Sequence, residues 1–197
     1  MKKIHILPLN RVEGDLKIHL ELDNNIVTQA RSSGVMYRGF ENIMIGRGPL
    51  DGLVITPRIC GICSTAHLKA AAKALDMVCK VNIPDNAKRV RNITLMTEML
   101  QNDVRQAFLL FMCDFANPYY KNHSLFEEAV RRYEPLKGET AIQTIQESKK
   151  IIEIIAIFGG QWTHSSFMVP GGVVSVPGAG DITKCLYLLR HFRTWYE

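Results

Sequence analysis

The sequence predicts an α+β fold that is predominantly helical, with an N-terminal β-hairpin followed by a bundle of long helices. Three observations carry this reading. Apolar and polar residues alternate over residues 16–22, an alanine-rich run follows Ser64, and apolar positions recur every three or four residues after Pro84.

In the first element, Leu16, Ile18, Leu20 and Leu22 give a strand one apolar face. Asp23-Asn24-Asn25 supplies turn chemistry, and Ile26, Val27 and Ala30 resume a strand, so residues 15–31 read as a hairpin. Residues 32–62 hold Gly34, Gly39, Gly46, Gly48, Gly52 and Gly61, which predicts compact irregular backbone with a short helix over 41–45. Ala66, Ala70, Ala71, Ala74 and Leu75 favour a helix, with Ser64 or Thr65 as its cap. Pro84 and Asp85 open a second helix, expected to run for about 30 residues to Asp114 and to span roughly 45 Å. Its expected buried stripe is Val90, Ile93, Met96, Leu100, Val104, Phe108 and Phe111. That length suits the central rod of a larger bundle.

Asn117-Pro118 breaks the chain, and helices are predicted over 124–133 and 139–158. A glycine- and proline-rich loop follows, then an amphipathic helix that starts after Asp181 and meets no stop signal by Glu197. The whole reads as a single unit, 1–197. Residues 1–62 form a β and irregular segment with a cysteine pair at its end, and 63–197 are helical.

Composition narrows the class. The 197 residues are 47% hydrophobic and 22% charged, ordinary for a soluble globular protein. No run reaches the roughly 18 apolar residues of a membrane helix, and the longest candidate, 151–158, is broken by Glu153. The basic start, Met1-Lys2-Lys3-Ile4-His5, leads into no long apolar region, so no secretory signal is read. The expected location is cytoplasmic, either free or held at a membrane through partners. The net charge of +5 is dispersed over helix faces and no nucleic-acid motif accompanies it, so no nucleic-acid partner is expected.

Of the five cysteines, Cys79, Cys113 and Cys185 stand singly in apolar helical patterns, where cysteine acts as a small hydrophobe. Cys60 and Cys63 differ. Arg58-Ile-Cys60-Gly61-Ile-Cys63-Ser-Thr-Ala-His67 puts two thiols three positions apart where a glycine-rich loop enters a helix. Gly61 is expected to let the backbone turn between them, and the helix amino end to keep both sulfurs deprotonated. Soft sulfur ligands suit nickel and iron. His67, one turn on, is placed to hydrogen-bond a cysteine sulfur, and Arg58 sets a permanent positive charge beside the thiolates. Taken alone, a C-x-x-C pair also fits half of a zinc site or a thiol-redox pair.

The whole segment resembles the amino-terminal cysteine motif of nickel–iron hydrogenase large subunits. Three further stretches agree in order: Arg11-Val-Glu13-Gly-Asp-Leu, Ser32-Ser-Gly-Val-Met-Tyr-Arg38-Gly-Phe-Glu41, and His164-Ser-Ser-Phe-Met-Val-Pro-Gly171-Gly-Val. The variants resemble those of cyanobacterial-type uptake hydrogenases and their sensor relatives. The resemblance covers the chain but only the N-terminal part of such a subunit, so the fold is expected to be incomplete relative to the family.

The resemblance implies that Cys60 is a terminal nickel ligand, that Cys63 bridges nickel and iron, that Glu13 relays protons as the catalytic carboxylate, and that Glu41 binds magnesium. It implies H2 oxidation, with electrons leaving through iron–sulfur clusters of a small subunit. The family's second cysteine pair, in an Asp-Pro-Cys-x-x-Cys-x-x-His setting, does not occur here. Half of the protein ligands of the Ni–Fe centre are then to come from the missing C-terminal half of the large subunit, with maturation proteins as further partners. This chain alone is expected to be inactive, as a fragment, an interrupted product or one half of a split subunit. Two other classes are a non-catalytic relative of the quinone-side subunit of complex I, against which the retained cysteines argue, and a zinc or thiol-redox module.

Overall fold

The computed structural model describes residues 3–8, 11 and 14–197. They fall into two compact units, Met1–Ile43 and Met44–Glu197.

The first unit is an antiparallel sheet in the order β1-β2-β3, from β1 (Lys3–Pro8), β2 (Leu16–Asp23) and β3 (Ile26–Gly34). Asn24 and Asn25 close the β2–β3 hairpin with φ of 49° and 62°, the left-handed pair that a two-residue turn needs to match strand twist. Asp23 pairs with Ile26 and Leu22 with Val27; a bulge between Glu21 and Leu22 then shifts the register. The predicted hairpin is therefore present. Strand β1 adds a third member, pairing Ile4 with Glu21 and Ile6 with His19. Its short Ile4-His5-Ile6 alternation was the only trace of it in the sequence.

The helix α1 (Phe40–Met44) lies where a short helix was predicted. The rest of the glycine-rich stretch is more regular than expected: a 3-10 turn at Pro49–Asp51, α2 (Gly52–Ile55) and another 3-10 turn at Thr56–Arg58. Then come α3 (Ser64–Cys79), ended by Lys80 at φ 52°, and α4 (Asp85–Arg105). The long helix expected to reach Asp114 is α-helical only as far as Arg105. After Arg105 the backbone widens to a π-helix over Gln106–Phe111 and tightens to 3-10 over Met112–Ala116. Next are a 3-10 turn at Pro118–Tyr120 and the helices α5 (Phe126–Tyr133), α6 (Glu139–Ile151) and α7 (Glu153–Gly159). The predicted helix over 139–158 is thus divided at Ile152. A two-stranded ribbon, β4 (Met168–Val169) and β5 (Gly172–Val173), precedes α8 (Ala179–Tyr196).

The core of the second unit is built from Leu68 and Ala72 of α3, Val90 and Val104 of α4, Ile151, Ile154 and Phe158 of α6 and α7, and Cys185, Leu188 and Phe192 of α8. Each large apolar side chain removed from water contributes about 1.5–3 kcal/mol. Helix α4 departs from the expected stripe. It buries Ala87, Val90, Arg91, Thr94, Thr97, Glu98, Gln101 and Val104, while Ile93, Met96 and Leu100 remain 37%, 61% and 41% exposed. The helical period was legible, but the face turned inward is the polar one. It is tolerated because most of its polar groups find partners, Gln101 Oε1 being an exception. Thr94 Oγ1 donates to the Val90 carbonyl at 3.0 Å and Thr97 Oγ1 to that of Ile93 at 2.8 Å.

Arg91 is the clearest case. It forms a buried ion pair with Asp76 of α3, Nη1 to Oδ2 at 2.6 Å. It also donates through Nη2 to the carbonyls of Val169 at 2.6 Å and Gly172 at 2.9 Å. Asp76 Oδ1 in turn accepts the Gly171 N–H at 2.8 Å. One guanidinium and one carboxylate thereby join the end of α3, the start of α4 and the β4–β5 turn.

Candidate metal centre

The loop 59–62 is held from both sides. Below it, Thr56 Oγ1 donates to the carbonyls of Gly52 at 2.8 Å and His67 at 3.3 Å, tying the 3-10 turn to the first turn of α3. Above it sits His164, whose backbone has φ 61° and whose N–H donates to Ser64 Oγ at 3.3 Å. Its Nδ1 lies 2.8 Å from the Pro57 carbonyl, an acceptor only, so that nitrogen carries the hydrogen. At Gly61, whose φ is not left-handed, an added Cβ would meet the His164 ring at 3.9 Å, ordinary contact. The backbone bends at Gly61, Ile62 and Cys63 as expected, but neither the φ of Gly61 nor its contact with the imidazole requires glycine there.

Within this frame Cys60 and Cys63 are both free and half-buried. The Cys63 N–H donates to Cys60 Sγ at 3.3 Å. Cys63 is the N-cap of α3, yet its side chain makes no capping bond. That task falls to Glu98 of α4: its Oε1 accepts the Thr65 N–H and its Oε2 the Ala66 N–H, both at 2.9 Å.

The expectation that the helix end keeps both sulfurs deprotonated is not met at Cys63. Its thiol is pushed up to about 12, first by burial, then by the hydrogen bond and charge of Cys60 and by the Glu98 carboxylate.

The remaining predicted residues are placed as follows. Arg58 is exposed, with its guanidinium on the Val54 carbonyl. His67 is half-buried, and its N–H donates to the Cys63 carbonyl at 3.3 Å. Among the described residues no hydrogen bond joins either side chain to a sulfur. Glu41 is exposed in the first turn of α1, and Glu13 lies outside the described residues. Expectation had missed Glu98, whose only sequence signal was a charge on the helix that later turned its polar face inward. His164 lies within the last of the motif stretches, where nothing in its spacing marks it as a neighbour of the cysteines.

The chemistry of the donors fits a soft metal. Two thiols on a fixed loop can bind one ion together, and a third group is needed to close the set. Among the described residues no group of three or more His, Cys, Asp or Glu side chains is arranged to hold a metal ion.

Fold and site together define a mostly helical chain with two free thiols at a loop–helix junction, a candidate for binding a soft metal ion. Residues 38–131 match the pattern of the nickel-dependent hydrogenase family. The chain belongs to that family of oxidoreductases and corresponds to the N-terminal part of its large subunit, as the motifs implied. It is 32% identical to the periplasmic [NiFeSe] hydrogenase large subunit of Desulfomicrobium baculatum over 92% of this chain and 38% of that one. It is 29% identical to the uptake hydrogenase large subunit of Rhodobacter capsulatus over 86% of this chain and 30% of that one. The structure of the Ni-Fe-Se hydrogenase from D. vulgaris Hildenborough superposes with a TM-score of 0.77 at 28% identity, covering 98% of this chain and 42% of the other. The chain thus spans well under half the length of these relatives.

Proposed function

We propose that this chain contributes the first half of the thiolate set of a nickel–iron hydrogenase large subunit that oxidises H2. The supporting observation is the Cys60–Cys63 loop, held half-buried between Thr56 and His164 in a fold shared with solved hydrogenases. Cys60 would serve nickel as a terminal ligand and Cys63 would join nickel to iron. When bound, the Ni–Fe centre supplies the site at which H2 is split heterolytically. Glu13 would carry the released proton, a task suited to a carboxylate near an anionic cluster, whose pKa such surroundings raise. Glu41 would hold a magnesium ion. Arg58 would place positive charge near the sulfurs, and His67 would orient one of them.

Two of the thiolates belong to the complementary C-terminal part of the subunit, so the chain by itself is inactive. The other partners are a small subunit with iron–sulfur clusters, which takes the electrons, and maturation proteins that load the metals. The assembled enzyme is placed in the cytoplasm or at a membrane through these partners.

The test is metal analysis after coexpression with the complementary C-terminal half and the maturation proteins. The expected result is about one nickel and one iron per complex, both lost in Cys60→Ala. Zinc in the isolated chain with no nickel on completion would identify a zinc module instead. Full assembly with no metal at all would favour a structural relative.

A further inference from the structure

A carboxylate only 1% exposed is ordinarily paired with a cation, because burying an isolated charge is strongly unfavourable. Glu98 has no such partner among the described residues; its two oxygens are taken by the amides of Thr65 and Ala66. Those amides are the second and third of α3, the donors that an N-cap side chain normally satisfies. The N-cap here is Cys63, whose sulfur is left out of that role. The cap arrives instead from a different helix, 33 and 32 residues further along the chain. General polar packing does not account for this, since Gln101, one turn along the same buried face, leaves its Oε1 without a partner.

We infer that Glu98 is a positioning residue for the metal site: it caps α3 in place of Cys63 and so keeps the Cys63 sulfur free for metal. The inference rests on the reading of Cys60 and Cys63 as metal ligands. Without the carboxylate, the Thr65 and Ala66 amides become unoccupied donors, and the Cys63 sulfur stands at the N-cap position from which a side chain ordinarily accepts them. It would turn to them, and metal binding would then have to break that cap. A cap contributes roughly 1 kcal/mol, which is a weakening of about fivefold to tenfold in metal affinity. Glu98 also adds negative charge behind two ligands that must attract a cation.

The experiment uses the full chain with Glu98→Gln and Glu98→Asp, with folding checked by circular dichroism. Two kinds of measurement are made. The first needs no metal: NMR hydrogen exchange at Thr65 and Ala66, and the Hα–Hβ couplings of Cys63, which report its side-chain rotamer. The second is titration with cobalt(II) chloride, followed by the thiolate-to-cobalt absorption band.

In Glu98→Gln, which keeps one acceptor oxygen and sets an NH2 donor against the second amide, at least one of the two amides is expected to exchange faster, the Cys63 rotamer to change, and the cobalt dissociation constant to rise about fivefold to tenfold. Glu98→Asp, which keeps the charge, is expected to recover part of the affinity. An unchanged Cys63 rotamer in Glu98→Gln overturns the proposal, and so does faster amide exchange with unaltered cobalt binding. If the unsubstituted chain, with half of the ligand set, binds no cobalt, the exchange and coupling data still decide the role of Glu98, and the nickel and iron content of the completed subunit decides the metal reading.

Discussion

Asp76 and Arg91 show how much a single buried pair can carry. Burial alone would raise the Asp76 pKa, but the hydrogen bond from Arg91, the Gly171 amide and the guanidinium charge outweigh it and hold the carboxyl below its ordinary value of 3.8. A carboxylate whose pKa is lower when folded gives stability that is complete above its unfolded pKa and is lost as pH falls through the folded one. The urea midpoint of the chain should therefore fall on acidification from about pH 5 to about pH 3, and fall less in Asp76→Asn. At neutral pH, Asp76→Asn leaves Arg91 buried without a counter-charge and should cost about 3–5 kcal/mol by urea denaturation. Adding Arg91→Met should cost less than the sum of the single changes, because the two share one interaction. The cysteines of the site were legible because C-x-x-C spacing at a loop–helix junction is chemistry written locally. Asp76, Arg91 and Glu98 were not, because each acts on a backbone group or partner 15 or more residues away.

At the scale of elements, helix starts were easier to read than helix faces or ends. Pro84 opened α4 as expected, since its fixed φ and missing N–H suit that position. The apolar stripe Ile93, Met96 and Leu100 had the right period but proved to be the outer face. A period of 3.6 tells that a helix has two faces, and only the neighbours decide which one is buried. The divisions at Ile152 and after Arg105 had no proline or glycine to announce them. The α5–α6 connection yields a sharper expectation. A Cβ at Gly138 would lie 2.4 Å from the Arg132 carbonyl oxygen and 2.7 Å from the Glu134 nitrogen, and both are backbone atoms that cannot swing aside. Gly138→Ala should therefore destabilise the chain by about 1–3 kcal/mol, read as a lower thermal midpoint with little change in far-ultraviolet dichroism.

Across the whole molecule, the second unit leaves many large apolar side chains open to solvent. Ile93, Met96 and Leu100 on α4 and Ile182, Leu186 and Tyr187 on α8 are open, and Leu100, Val104, Phe108, Leu189, Phe192 and Tyr196 line a groove of about 450 Å³. The chain covers 42% of the solved hydrogenase chain it superposes on; under the function proposed above, the remainder of a large subunit would cover these faces. Alone at micromolar concentration the chain should self-associate, seen as concentration-dependent sedimentation, and Met96→Glu with Leu186→Glu should suppress this without lowering the thermal midpoint. The widened turn at Gln106–Phe111 bears on how such chains compare with their relatives. A π segment holds one residue more than an α-helix of equal rise. Relatives can therefore differ by a single insertion or deletion in the middle of this rod without interrupting it. An aligned gap here records a change of helical pitch, not the loss of a loop.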